Sequence, residues 1–168
     1  MAEYTAYFKG EWVPNSRVRI DPLDRGFTVG DAVFDVARTF NGKSFRLKEH
    51  VNRLYRSLKF VRIDPGVSPK EMLDISEEVI QRNEPLRPEV GDFTVTQFVT
   101  RGPGSWARSA GPPTVCVKVG AIDFGRYAGL FKPGAHGVIT RTRSYPVESL
   151  DPKIKSYSRM NFNMADLE

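Results

Sequence analysis

One lysine, a few arginines and an aromatic strand residue carry most of this sequence's capacity for chemistry. Lys155 stands in Lys155-Ser156-Tyr157-Ser158-Arg159, just after the turn-forming Leu150-Asp151-Pro152. A lysine amine attacks a carbonyl carbon only when neutral, so such a role requires burial or a nearby cation to lower its pKa, and Arg159 is a candidate cation. Taken alone, a lysine after a turn is a solvated surface residue, because lysine is almost never buried unpaired. Arg53 lies beside the apolar stripe of a helical segment. It reads either as a solvated helix arginine or as a ligand for two oxygens of an anion at once. Phe34 lies in a Val- and Phe-rich run, where an aromatic serves equally as pocket wall or as core. His136 sits among glycines and reads as exposed. The sequence suggests no metal site.

The elements that must position these groups follow from periodicity. Tyr4 to Val13 alternates aromatic and polar residues, which predicts one strand ending at Pro14-Asn15-Ser16, and a second strand is expected over Ser16 to Ile20. Ala32 to Phe40 and Lys43 to Leu47 flank Asn41-Gly42, the pair that a two-residue hairpin turn prefers because both its residues need φ > 0. Leu47, Val51, Leu54, Leu58 and Val61 then fall on one helical stripe. Ser68-Pro69-Lys70-Glu71 announces a second helix, with Ser68 as cap, Pro69 in the first turn and Glu71 completing a capping box. Its stripe is Met72, Ile75 and Val79, and Asn83 is the expected stop. Strands are predicted over Phe93 to Arg101 and Thr114 to Ala121, on either side of a Gly/Pro-rich loop. Gly120 to Gly137 shows no period, which puts a boundary near Asp123 to Pro133 and gives two units, 1–122 and 123–168. In the second unit, a strand is expected over Gly137 to Arg143. A helix is expected through Met160, Met164 and Leu167, capped by Ser156 or Ser158.

Composition restricts the setting. The longest apolar runs are far shorter than the roughly 20 residues a membrane helix needs, and Met1-Ala2-Glu3-Tyr4 does not open a secretory leader. Membrane and secreted settings are therefore not expected. The single cysteine, Cys116, cannot form an internal disulfide and fits a reducing cytoplasm. Lysine and arginine number 25 against 20 acids. The two signs are interspersed, so the excess reads as a mixed surface rather than a nucleic-acid footprint.

Three stretches, in order and in register, resemble the class IV (fold-type IV) pyridoxal-phosphate-dependent aminotransferases, a family that includes branched-chain and D-amino acid aminotransferases, (R)-selective amine transaminases and aminodeoxychorismate lyase. They are Asp24-Arg25-Gly26-Phe27-Thr28-Val29-Gly30-Asp31-Ala32-Val33-Phe34-Asp35-Val36-Ala37-Arg38, Phe45-Arg46-Leu47-Lys48-Glu49-His50-Val51-Asn52-Arg53-Leu54, and Lys155-Ser156-Tyr157-Ser158-Arg159. The resemblance implies an α+β fold: a small N-terminal domain with a mostly antiparallel sheet and two helices, then the start of a larger pseudo-barrel domain. It assigns the Schiff-base lysine to Lys155, the cofactor phosphate to Arg53 and a cofactor-facing place to Arg159. Phe34, Thr96, Arg101 and Arg108 become substrate-facing candidates. Asp35, where the family usually has Glu, is expected to form a buried ion pair with Arg38, while His50 packs the helix start on the hairpin. Ser158-Arg159-Met160 replaces the usual Asn-Tyr-Leu or Asn-Arg-Leu, and Arg159 resembles the lyase branch. The family's acidic partner for the pyridine nitrogen lies beyond residue 168.

The activity implied is transfer of an amino group between an amino acid, branched-chain or similar, and a 2-oxo acid, by a homodimer. An aminodeoxychorismate-type lyase shares every motif quoted. A non-catalytic fragment is the rival from another class.

Overall fold

In a computed structural model, which describes residues 3–168, six antiparallel strands form one sheet with two long helices packed on one face. The strands are β1 (Thr5–Phe8), β2 (Glu11–Pro14), β3 (Ala32–Phe40), β4 (Lys43–Phe45), β5 (Phe93–Thr100) and β6 (Thr114–Ala121), in the order β2-β1-β6-β5-β3-β4. The helices are α1 (Arg25–Thr28), α2 (Leu47–Val61), α3 (Pro69–Asn83), α4 (Arg87–Val90), α5 (Gly125–Ala128) and α6 (Met160–Asp166). The α+β architecture predicted from the sequence is observed.

Period-2 alternation decides which side chains meet the helices. Val33, Asp35 and Ala37 of β3, with Val95, Gln97 and Val99 of β5 and Val115, Val117 and Val119 of β6, are buried. The aliphatic members join Leu47, Val51, Leu54 and Leu58 of α2 and Met72 and Val79 of α3 in the core. Phe34, Phe98 and Cys116 occupy paired positions across β3, β5 and β6 and point to the opposite face. The two helical stripes thus lie where their spacing put them.

Local chemistry sets the element ends. Ser68 Oγ accepts from Glu71 N at 3.2 Å and Glu71 Oε2 accepts from Ser68 N at 2.7 Å, so the capping box forms as expected. Asn41 (φ 50°) and Gly42 (φ 76°) make the β3–β4 turn. Asp92 accepts from both of their backbone N–H groups and from Thr39 Oγ1, all within 2.9 Å.

Four expectations are corrected. Tyr4 to Val13 is a hairpin rather than one strand, because Lys9 (φ 51°) and Gly10 (φ 92°) turn the chain between β1 and β2. Ser16 to Ile20 is not a strand: a 3₁₀ turn covers Asn15–Arg17, and no neighbouring strand pairs with residues 18–20. Gly137 to Arg143 likewise forms no strand, and two of its N–H groups, Arg141 N and Thr142 N, donate instead to the Glu168 carboxylate at 2.6 and 3.0 Å. Neither Ser156 nor Ser158 caps α6. Arg159 holds that position without a side-chain cap, and Ser156 is taken up by a bridge to Val33.

The segment before β3 is fixed by a buried acid. Asp24 accepts from Gly26 N (2.7 Å), Thr100 Oγ1 (2.7 Å) and Thr114 Oγ1 (2.9 Å), stitching α1 to the ends of β5 and β6. Gly26 is so close to this junction that a Cβ there would lie 2.5 Å from Thr100 Cγ2. Gly26→Ala is therefore expected to cost about 2 kcal/mol through overpacking, and Ser68→Ala about 1 kcal/mol through loss of the cap. Urea unfolding followed by circular dichroism checks both, and equal midpoints for wild type and Gly26→Ala would refute the close-packing account.

Candidate active site

β4 pairs only with the last three residues of β3, so the first half of β3 has an edge that β4 leaves open. Residues 155–157 cover it. Phe34 N donates to Lys155 O at 3.0 Å, Tyr157 N donates to Ala32 O at 3.0 Å, and Val33 bridges Ser156 in antiparallel register. Strand alternation then buries Ser156 beside Val33 and sends Lys155 and Tyr157 to the face occupied by Phe34. Lys155 Nζ lies 4.6 Å from the Phe34 ring centroid. Tyr157 stacks on Phe34 with centroids 4.4 Å apart and meets Phe98 edge-on at 6.1 Å.

The lysine is also tied to α2. Lys155 N donates to Ser57 Oγ at 3.3 Å, and the same hydroxyl donates to the Arg53 carbonyl at 3.2 Å. Burial pulls the Lys155 amine below the ordinary lysine range. The Asp35 carboxylate opposes that shift, and the Arg53 and Arg159 guanidiniums reinforce it. The neutral amine is thus more accessible than at a free lysine.

On the helix-facing side, Asp35 is fully buried and gathers four donors, one of them its neighbour's backbone, with Val36 N donating to Oδ1 at 2.7 Å. Arg53 approaches in a fork, Nε to Oδ2 at 2.6 Å and Nη2 to Oδ1 at 2.7 Å, and His50 Nδ1 lies 2.8 Å from Oδ1. Because an ionised carboxylate only accepts, His50 carries its proton on Nδ1. Burial would raise the Asp35 pKa, but the bonds from Arg53 and His50 outweigh it and hold the carboxyl below its usual range. The expected Asp35–Arg38 pair is not formed. Positions 35 and 38 lie on opposite faces of a strand, and Arg38 instead stacks its guanidinium 3.8 Å from the Phe40 ring centroid. His50 does join the helix start to the hairpin.

The other candidates separate. Arg53 borders an open cleft of about 240 Å³ with Arg46, Glu49, His50 and Arg56; Lys155 is not among its lining residues. Arg159 stacks on Phe162 at 4.1 Å. Thr96 shares the Phe34 face, paired with Val36 and Lys118. Arg101 is committed elsewhere: Nε and Nη2 hold Asp31 at 2.7 and 3.1 Å, while Nη1 and Nη2 donate to the Arg62 and Val61 carbonyls at the end of α2. Arg108 is exposed in a 3₁₀ turn, and His136 is exposed as expected. Four residues that sequence reasoning passed over are central: Ser57, Asp31, Phe98 and Tyr157. Alternation from Thr96 along β5 points to Phe98, whereas Ser57 and Asp31 carry no local signal of their partners.

Phe98 and Tyr157 also line an apolar hollow of about 230 Å³ with Ile20, Gly26, Phe27, Ala32 and Thr100, and no charged side chain faces it. Among the described residues no cluster of acids, histidines and cysteine could hold a metal, and no helix is long and apolar enough to cross a membrane.

The family model for amino-transferase class IV matches residues 32–168, and the chain belongs to that family. A Methanocaldococcus jannaschii protein, provisionally named as a branched-chain-amino-acid aminotransferase, is 31% identical over 166 residues, 96% of this chain and 54% of that protein. A D-alanine aminotransferase of Staphylococcus aureus is 23% identical over 91% of this chain and 40% of its own length. In structure, a T.th. branched-chain amino acid aminotransferase complexed with N-(5'-phosphopyridoxyl)-L-glutamate superposes with a TM-score of 0.84 at 21% identity, over 99% of this chain and 55% of that one. The branched-chain aminotransferase of Thermoproteus uzoniensis with norvaline gives 0.81 at 21% identity, over 99% and 56%. The chain spans about half the length of these relatives.

The Asp31 knot makes a pH prediction. Burial acts to raise the Asp31 pKa, and hydrogen bonds from Arg101 and Arg25 override it, leaving the carboxyl below its ordinary 3.8. A depressed acid contributes stability above its unfolded pKa and loses it as pH falls through the folded one. Asp31→Asn is therefore expected to be less stable than wild type at neutral pH, with the difference shrinking progressively below about pH 4. Thermal melts between pH 2 and pH 7 check this, and a gap that stays constant across that range contradicts it.

Proposed function

We propose that this chain carries the small domain and the lysine segment of an aminotransferase that moves an amino group from an amino acid, branched-chain or similar, to a 2-oxo acid with pyridoxal phosphate. Residues 123–168 then open a second domain, whose apolar side chains such as Phe131 and Ile139 are exposed here. The working enzyme is a cytoplasmic homodimer on this reading. The observation that carries it is the placement of the Lys155 amine: half-buried, depressed in pKa, against Phe34, and linked through Ser57 to the helix bearing Arg53.

Lys155 and Arg53 have the chemistry the cofactor needs, and the Arg53 guanidinium is near enough to Lys155 to lower the pKa of its amine, although Lys155 does not line the cleft that Arg53 borders. Lys155 offers an amine shifted toward the neutral form needed to bond an aldehyde. Arg53 is anchored on one edge by Asp35, and its Nη1 has no hydrogen-bond partner among the described residues, which leaves a cationic edge for a phosphate. Pyridoxal phosphate, when bound, supplies the electron-withdrawing ring that makes the α-hydrogen of an amino acid acidic. Lys155 would hold the cofactor aldehyde through Nζ, and the same nitrogen, when free, would carry the α-proton as general base and acid. The Arg159 guanidinium adds to the shift of that amine toward its neutral form. Phe34 walls the amine on one side, with Tyr157 stacked on that ring, and the uncharged hollow lined by Phe98 and Tyr157 supports a donor with an apolar side chain.

Mixing the full-length protein with pyridoxal phosphate is expected to give a visible absorption band that borohydride fixes covalently on residue 155. The band is expected to vanish in Lys155→Ala. Its persistence in that variant would remove the nucleophile from the proposal. Assay of the holoenzyme with a branched-chain amino acid and a 2-oxo acid is expected to yield the corresponding keto acid; pyruvate released without an acceptor would instead identify the lyase.

A further inference from the structure

Asp35 makes no direct claim on a ligand, being fully buried beneath β3, yet it determines how Arg53 is presented. We propose that Asp35 is a positioning residue for phosphate binding: its carboxylate fixes Arg53 by one edge of the guanidinium so that the opposite edge is already oriented toward an incoming phosphate dianion. This rests on the reading of Arg53 as the phosphate ligand.

The geometry supports the assignment in three ways. The fork is two-pronged, 2.6 Å through Nε and 2.7 Å through Nη2, which fixes the guanidinium plane as well as its distance. The Asp35 side chain is inaccessible, whereas the Arg53 side chain is 43% exposed, so the pair has one immobile member and one that faces solvent. His50 supplies a further donor to Oδ1 at 2.8 Å, which fixes the carboxylate in turn. A free arginine on a helix surface must give up rotamer freedom when it binds an anion. Here that freedom is surrendered on folding, so binding proceeds from an ordered group. The arrangement has an electrostatic drawback, since Asp35 cancels part of the charge that attracts the phosphate. Orientation must therefore outweigh the lost attraction, and this is what the test measures.

Among the groups facing Asp35, His50 and Arg53 come from α2, and Lys155 feels its charge from the segment paired to β3. Asn at position 35 keeps the shape but offers a single acceptor oxygen, so it cannot receive both prongs of the fork. Lys at position 53 keeps the charge but has no planar edge, so Asp35 would hold a point ammonium with no oriented face left over.

The experiment compares the affinity of the full-length protein for pyridoxal phosphate with that for pyridoxal, by absorbance titration, in wild type and in the variants Asp35→Asn, Arg53→Lys and Arg53→Met. The ratio of the two affinities isolates the phosphate contact, and a merely structural defect would lower both affinities together. For Asp35→Asn and Arg53→Lys the ratio is expected to fall tenfold or more, with the loss of affinity for pyridoxal phosphate exceeding any change for pyridoxal that follows from the altered charge near Lys155. If Asp35→Asn does not fold, Asp35→Ala, which leaves the half-exposed Arg53 free to turn to solvent, takes its place with the same fall expected. An unchanged ratio in the folded variants, or equal loss of both ligands, overturns the positioning role. Arg53→Met separates the two levels. A wild-type ratio in that variant means that Arg53 does not hold the phosphate, and the underlying reading fails. A fall there without a fall in the other two defeats only the proposal about Asp35.

Discussion

The backbone pairing of residues 155–157 with the first half of β3 is the constraint on which the candidate site depends. A strand edge with unpaired N–H and C=O groups is costly to bury and prone to unwanted association when exposed. Here the later segment meets that requirement with two hydrogen bonds, which flank the antiparallel pair Val33–Ser156. The register that satisfies the edge also places Lys155 opposite Phe34, on the face away from the helices. Pairing slipped by one residue would send the lysine into the core and Ser156 outward. The position of the amine is thus a consequence of strand register, reinforced by the Ser57 hydroxyl reaching across from α2.

Around this edge, charge is arranged so that carboxylates hold the irregular parts. Asp24 fixes the turn before β3, Asp31 joins Arg25 to Arg101 and through it to the end of α2, and Asp35 binds Arg53 and His50. Each acid serves more than one donor, which is how ionised oxygens become tolerable away from water. The division of labour among the arginines follows. Arg101 has its three nitrogens occupied and acts as a brace, while Arg53 has one edge occupied and one available.

Part of this was legible from local signals. The hairpin at Asn41-Gly42, the stripe of α2 and the capping box of α3 depend on residues within a few positions of one another, and all are found where the pattern put them. The Lys9-Gly10 turn was less legible, because lysine is not a residue that announces positive φ, and its one local signal is Gly10 within the polar break Lys9-Gly10-Glu11. Ser16 to Ile20 and Gly137 to Arg143 have strand-like composition but no neighbour. β-propensity describes fitness for a pleated surface and does not create one.

The sequence by itself determined the α+β class, the two long helices and the three stretches that mark class IV, since periodicity, turn chemistry and motif spacing are written locally. Only the tertiary structure decided that Asp35 pairs with Arg53 rather than Arg38, that Arg101 is spent on Asp31, and that the lysine segment lies against β3. Those outcomes depend on contacts between residues far apart in the chain, such as Phe34 with Lys155, whose partners are chosen by sheet register and by which face of each strand a side chain occupies.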